Sequence, residues 1–395
     1  MSADPYTSPA PSKVGTPLDS IAPEWDIVVV GAGVAGATAA RLFARAGHRV
    51  LLVERSEFPR YKVCGSCLNL RAAKYLNLNG IDARLEALGA VQLRAARIAV
   101  AGRSATIPLP GGFAVSRALL DSTLVQAACE DGVCFLPGTL ATLGACSAQR
   151  RNLCLTRGTE QIAIEGKLVI AADGLHGGLL QRAGESDTRV SSISHIGLGC
   201  VSTAGGEEYE PGKIYMCCGP SGYVGVVRIE GNALAIAAAL DPGVLRHAER
   251  PGRLIAGWIH DAGLPPILSL ESARWKGTPP LTRQSSRFST DRVLAIGDAR
   301  GYIEPFTGEG MAWALESAHQ AASLAANALE QCGQGVEDRW QILAQRQMRQ
   351  RPLWCRAVAR TLRSTRATQA IVAVLDLFPG LASPIVGHLN SYARS

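Results

Sequence analysis

The chain has 395 residues, 47% hydrophobic and 18% charged, a composition that supports a substantial buried core and excludes a disordered protein. Its net charge of +7 and pI near 8.9 suit anionic partners such as phosphates, carboxylates or a membrane surface. No zinc-finger spacing, helix-turn-helix or RNA-binding aromatic motif accompanies that charge, so nucleic acid is not an expected partner.

Residues 1–25 carry five prolines and no apolar signal region, and read as a flexible tail. No run approaches the roughly 18 apolar residues of a membrane span, so a cytoplasmic protein is expected. The eleven cysteines are irregularly spaced and read as free, mostly buried thiols, with no metal site among them.

From Asp26 the pattern becomes specific. DIVVV (26–30) reads as a buried parallel strand, GAGVAG (31–36) as a glycine-rich turn, ATAARLFARAG (37–47) as a helix and RVLLVE (49–54) as a second strand. Glu54 stands 18 positions after Gly36, at the end of that strand. This is the arrangement of a dinucleotide-binding βαβ unit. Gly31 makes the tight turn, Gly33 lets a pyrophosphate approach the backbone, and Gly36 packs helix on strand. Val34 and Ala35 open the helix, whose N-terminus offers amide donors and positive dipole to phosphate. Glu54 can accept from a ribose hydroxyl, and the adjacent Arg55 belongs to the same edge.

RYKVCGSCLN (60–69) holds a Cys-x-x-C pair that a redox dithiol, half a zinc site or a loop beside a ligand would each explain. Zinc requires a second pair, and vicinal Cys217-Cys218 is unsuitable. A thioredoxin-type dithiol lacks its surrounding fold.

Four later segments carry a resemblance. AVSRALLDSTLVQAACEDG (114–132) contains R-x-x-L-D-x-x-L beginning at Arg117. LVIAADG (168–174) is a strand ending in Asp173-Gly174. VLAIGDARGYIEPFTGEGMAWALESAHQAA begins at Val293 and carries Gly297-Asp298 and T-G-E-G-M (307–311). FPRYKVCG (58–65) completes the set. Together they resemble the FAD-dependent oxidoreductases that include p-hydroxybenzoate hydroxylase-like monooxygenases, flavin halogenases and geranylgeranyl reductases, with the F-P-R-x-K-x-C-G run nearest the reductase branch.

The resemblance implies FAD as cofactor. Asp298 is the counterpart of the residue that holds the ribityl chain. Pro305, Gly308, Gly310 and Met311 lie at the flavin edge, where a helix N-terminus would stabilise the negative charge of a reduced flavin. Arg117 and Lys62 reach toward the cofactor, Asp173 buttresses the flavin domain, and Cys64 and Gly65 lie beside the ring. The residues after Asp173-Gly174 depart from the family pattern, running LHGG, which leaves the usual arginine contact with nicotinamide without a counterpart. Cys64 is the one catalytic candidate, either as proton donor or, by preference, as a small polarisable wall. No histidine stands in a recognisable acid–base constellation.

Between about 191 and 290 the sequence changes to short alternating apolar runs: HIGLGCVSTA, GKIYMCCG, GYVGVVRIEGN and ALAIAAALD. They read as an antiparallel sheet, which in the resembled group roofs the substrate pocket. Tyr215 and Tyr223 are candidate substrate-binding residues, with ordinary core packing the alternative for each. The W-x-W-x-I-P signature of halogenases and the Y-x-W-x-F-P signature of isoprenoid reductases are both missing. From Arg339 to Arg366 there are eight arginines and no acidic residue, with Trp354, Val358 and Leu362 at helical spacing. That stretch reads as a basic amphipathic helix, either a packed cap or a peripheral membrane or carrier-protein contact.

The expected fold is mixed α/β: a Rossmann-type FAD-binding domain, an inserted antiparallel substrate domain and a C-terminal helical cap. The FAD-binding domain takes residues 26–83, 111–185 and 291–330, the substrate domain 84–110 and 186–290, and the cap 331–395. The expected function is an FAD-dependent monooxygenase that uses molecular oxygen on a lipophilic phenolic or polyketide-like small molecule, with NADH or NADPH as electron donor. Reduction of carbon–carbon double bonds and electron transfer to a quinone or protein are the alternatives.

Overall fold

The computed structural model describes residues 17–390 apart from 177, 305, 307, 331–334, 351–360, 362 and 363. At its centre five strands in four parallel pairings carry the nucleotide unit. Cys134–Leu136 pairs with Val50–Val53, that strand with Glu24–Val30, Glu24–Val30 with Glu160–Ala171, and Glu160–Ala171 with Val293–Ala295. Helices and loops cover both faces of such a sheet, so its strands are apolar throughout rather than alternating. Ile27, Val28 and Val29 accordingly show no exposed surface. One face is packed by the helices Val34–Arg45, Arg117–Glu130 and Gly310–Glu330. Ala37, Ala40, Ala318, Ala321 and Ala325 sit in that shared core, and their small side chains allow close approach of helix to helix and sheet.

Part of the expected tail is packed. Leu18, Ile21 and Trp25 are buried against the opposite face of the sheet, so packing overrides the proline-rich composition from residue 18 onward.

The substrate domain is a seven-stranded sheet in the order Lys276–Pro280, Ile196–Ser202, Leu234–Leu240, Gly222–Arg228, Lys213–Gly219, Ala95–Val100, Arg103–Pro108. The early pair joins through a parallel register, Tyr215 opposite Arg97, and the later strands pair antiparallel. One face is covered by the helix Pro251–Asp261, whose Ile255 and Ile259 enter the core of this sheet. The other face looks toward the flavin domain.

The C-terminal region does two things. Val336, Trp340, Ala344 and Met348 fall on one side of the helix Val336–Gln350 and are buried against the flavin domain, where the Trp340 indole donates to the Ala295 carbonyl at 2.9 Å. Residues 351–360, 362 and 363, the heart of the expected basic helix, lie outside the described residues. The following helices, Thr365–Leu377 and Ser383–Asn390, pack on the outer strands of the substrate sheet. Among the described residues no single helix is long and apolar enough to cross a membrane. The pair Thr365–Leu377 and Pro379–Asn390, bent by 119°, reaches the required length and composition only together.

Candidate functional site

The glycine turn is built by sterics. Gly31 has φ +105°, and a Cβ there would stand 2.4 Å from the Ala172 carbonyl oxygen. At Gly36 a Cβ would stand 1.8 Å from the Gly31 carbonyl oxygen, so the helix can close on the turn only without a side chain. Gly36 is thus a packing position rather than a lining one. Val34 and Ala35 border the cleft directly.

Gly33 faces three cations. The space its Cβ would fill lies 3.4 Å from the Arg117 guanidinium, 3.7 Å from that of Arg60 and 3.9 Å from Lys62 Nζ. One fully buried carboxylate organises the arginines. Asp121 accepts a two-pronged bond from Arg117 at 3.0 and 2.8 Å, one helical turn along, and lies 3.2 Å from Arg60. Ser116 caps that helix by accepting from Leu119 N at 3.0 Å, which places Arg117 at its first turn. Burial, then the neighbouring Arg117 and Arg60, lower the Lys62 pKa to about 8, against the pull of Asp298 and Asp121. Cations held this close without full compensation fit a pyrophosphate. Beside them, buried Glu54 accepts from Ala32 N at 3.0 Å and from Ser56 N at 3.0 Å, and Arg55 borders the same cleft. A carboxylate so fixed suits a ribose hydroxyl.

Asp173 has a framework role as well as a place on the cleft. Its Oδ2 accepts from Gly178 N at 2.6 Å and Leu179 N at 2.8 Å, fixing the turn on which Gly31 rests. Asp298, Gly308, Gly310 and Met311 all line the cleft from the far end of the chain, the last two at the start of the helix Gly310–Glu330. Pro305 lies outside the described residues. Cys64 and Cys67 are free thiols. Cys64 lines the cavity, and its sulfur accepts from Ser66 N at 3.4 Å. Cys67 donates to the Gly65 carbonyl at 3.1 Å, and burial and then the proximity of Cys64 push its pKa up, so it is not a ready thiolate. A Cβ at Gly65 would meet no atom within 4 Å, so the protein itself does not demand glycine there; the space opens on the cavity.

The cleft continues into the substrate domain as one cavity of about 570 Å³, within the ordinary range for a small-molecule site. Beyond the Cys64–Gly65 loop its lining includes the aliphatic Leu93, Ile98, Ile107, Leu109 and Ile214, and the last helix adds Val386, Leu389 and the polar Asn390. Tyr223 lines this space, but Tyr215 does not. Tyr215 is 2% exposed on the other face of the sheet, in the core beneath Ile255 and Ile259. There its ring meets Tyr209 at 4.7 Å and its hydroxyl accepts from Glu210 N at 3.1 Å. Its neighbour Met216 faces the cavity instead, as strand alternation requires.

Sequence reasoning also missed residues that the fold brings in. Arg60 was inside the quoted FPRYKVCG run, and Asp121 inside the R-x-x-L-D helix, so both had a local signal. His195 and Glu304 had none. Buried His195 places Nδ1 2.9 Å from both oxygens of Glu304, which lines the cavity.

A βαβ cleft with a cation cradle, a fixed carboxylate at the end of its second strand and a second chain segment at its far edge suits a flavin dinucleotide. Residues 24–347 match the FAD binding domain family, and the chain belongs to that family. Menaquinone reductase of Mycobacterium tuberculosis is 30% identical over 325 residues, 76% of each chain. Digeranylgeranylglycerophospholipid reductase 2 of Methanothermobacter thermautotrophicus is 29% identical over 323 residues, 78% of this chain and 79% of that one. Among solved structures, p-nitrophenol 4-monooxygenase PnpA from Pseudomonas putida has the same fold, with a TM-score of 0.77 at 15% identity, covering 95% of this chain and all of that one.

Proposed function

We propose that this FAD-dependent oxidoreductase reduces a carbon–carbon double bond in a lipophilic, isoprenoid-type substrate. The observation that carries the reading is the aliphatic arm of the cavity, which leads from the flavin-side loop of Cys64 to Val386 and Leu389. Its aliphatic walls offer dispersion and desolvation to a branched hydrocarbon chain. The reductase names of relatives that match three quarters of the chain support the same choice. The phenol hydroxylation favoured by the sequence has support from PnpA in fold alone.

When bound, the flavin supplies a hydride equivalent, received beforehand from a nicotinamide or another two-electron donor. The protein's own part is to hold the cofactor phosphates with Arg60, Lys62 and Arg117, fix the ribose with Glu54, and keep the alkene in a dry channel. Ile371, Val374, Leu377, Phe378, Leu381 and Ile385 are between 47% and 73% exposed on the C-terminal helices, the last of which borders that channel through Val386 and Leu389. We read this apolar outer side as the contact with a lipid surface from which the substrate enters.

The test is anaerobic. The holoenzyme is reduced with dithionite and mixed with menaquinone-4, and flavin absorbance and product mass are followed. Flavin reoxidation with a product two mass units heavier that survives exposure to air supports the reading, because a saturated side chain persists whereas a quinol returns to quinone. An air-reversible quinol would establish electron transfer instead. No reoxidation by the lipid, with hydroxylated product from a phenol and oxygen, would establish the hydroxylase.

A further inference from the structure

Reducing an alkene needs a proton as well as a hydride, and the cavity wall contains a route for one. Four residues from distant parts of the chain meet at one end of the seven-stranded sheet. His195 immediately precedes the strand Ile196–Ser202, Asp241 immediately follows Leu234–Leu240, and Tyr223 is the second residue of Gly222–Arg228. The register places them together, with Ile196 opposite Leu240 and Tyr223 opposite Ala239. Glu304 comes from the flavin domain, on the loop that leads to the helix Gly310–Glu330, and so bridges the two domains.

The contacts form a line. Tyr223 stands beside Glu304, whose charge acts on its hydroxyl, both line the cavity, and the Tyr223 ring meets Phe306 edge-on at 5.1 Å. Glu304 lies 2.9 Å from His195 Nδ1. On the far side of the imidazole, Nε2 is buried without a hydrogen-bond partner among the described atoms, 3.4 Å from an Asp241 carboxylate whose side chain is 42% exposed. With carboxylates on both sides, the tautomer that carries its hydrogen on Nδ1 donates to Glu304. The line therefore runs from solvent at Asp241 to the cavity at Tyr223.

We propose that Asp241, His195, Glu304 and Tyr223 form a proton relay that delivers solvent protons to the substrate cavity. The inference rests on the double-bond reductase reading. In that reaction one alkene carbon receives the hydride and its two electrons from the reduced flavin. The other carbon takes the Tyr223 hydroxyl proton, and the tyrosinate recovers a proton from Glu304. Glu304 is resupplied from His195 Nδ1, and the imidazole regains a proton from water at the Asp241 side. Tyr223 is the catalytic residue in this scheme, and His195 and Asp241 position and recharge it. Burial, then Glu304 and Tyr302, raise the Tyr223 pKa well above that of an ordinary tyrosine, so the hydroxyl holds its proton until a carbanion-like centre forms. Around the His195–Glu304 pair the titratable groups are Asp241, Tyr223 and Tyr302, with Cys218 behind Tyr223.

The test uses the holoenzyme and two variants, Tyr223→Phe and His195→Gln. With menaquinone-4 as probe, Tyr223→Phe should slow the substrate half-reaction by about 100-fold, the ordinary worth of a general acid. His195→Gln should slow it about tenfold and abolish its solvent deuterium effect. Flavin content and the rate of reduction by dithionite should not change. Variants within threefold of the parent would overturn the relay. If the parent itself does not react with menaquinone-4, the reductase reading fails, and the relay is read without substrate by nitrogen-15 NMR of labelled histidine. The His195 ring nitrogen shifts, which report the Nδ1–Glu304 contact, should then move on Tyr223→Phe, and unmoved shifts would overturn the relay on their own.

Discussion

Lys62 allows a perturbation whose size follows from the site. In the flavin-free protein its ammonium has a pKa of about 8 rather than 10.5, because burial and the guanidiniums of Arg117 and Arg60 disfavour a further positive charge. A bound pyrophosphate favours that charge. Cofactor binding must then take up a proton wherever free Lys62 is neutral. With that pKa the charged fraction is about 0.9 at pH 7 and about 0.03 at pH 9.5. The FAD dissociation constant should rise about 30-fold over this interval as long as the bound-state pKa exceeds 9.5, and change little below pH 7. The flavin-free fold shifts in the companion direction. A lysine depressed in the folded state weakens folding at neutral pH, and that disadvantage fades as pH rises from about 8 to 10.5. Fluorescence quenching of FAD titrated into the flavin-free protein measures the constant. Lys62→Met should bind more weakly at pH 7 and lose the slope. A flat profile in the parent protein, or the same slope in the variant, would refute the reasoning.

The other expectations test separate parts of the site. Gly31→Ala must place a Cβ 2.4 Å from a backbone oxygen at φ +105°, and the purified protein should lack most of its bound flavin absorbance. Asp121→Ala leaves Arg117 buried without its carboxylate and Arg60 with Glu54 alone at 3.4 Å, a loss of about 3–5 kcal/mol that urea unfolding would read. Cys64→Ala should lower turnover by less than about threefold, since a general acid would be worth about 100-fold. Replacing Phe378 and Leu381 with serine should weaken sedimentation with phosphatidylglycerol vesicles more than tenfold, at about 2 kcal/mol of buried apolar surface for each side chain.

The cofactor cleft was legible because its constraints are local. Gly31, Gly33, Gly36 and Glu54 act through the backbone and end of a single βαβ unit, so their spacing carries their meaning. Tyr215 and Tyr223 were not separable in the same way. Each strand has two apolar faces, one under Ile255 and Ile259 and one on the cavity, and alternation does not reveal which is which. His195 and Glu304 are 109 positions apart and meet only because the two domains dock. No spacing rule reaches across such a gap. The stretch from Leu18 to Trp25 misled through composition: prolines set the expectation of a tail, while three apolar side chains anchor it.

The cluster around Gly33 has a bearing on how much of this protein a cell contains. Lys62, Arg60 and Arg117 repel one another across the vacant width of a glycine, and an anionic ligand relieves that repulsion only in the folded chain. Flavin supply then becomes a term in the protein's own lifetime. A ligand present at 100 times its dissociation constant adds about 2.7 kcal/mol to the folded state, enough to lower the unfolded population about 100-fold. Riboflavin shortage should thus thin the population through proteolysis rather than leave a stock of inactive enzyme awaiting its cofactor.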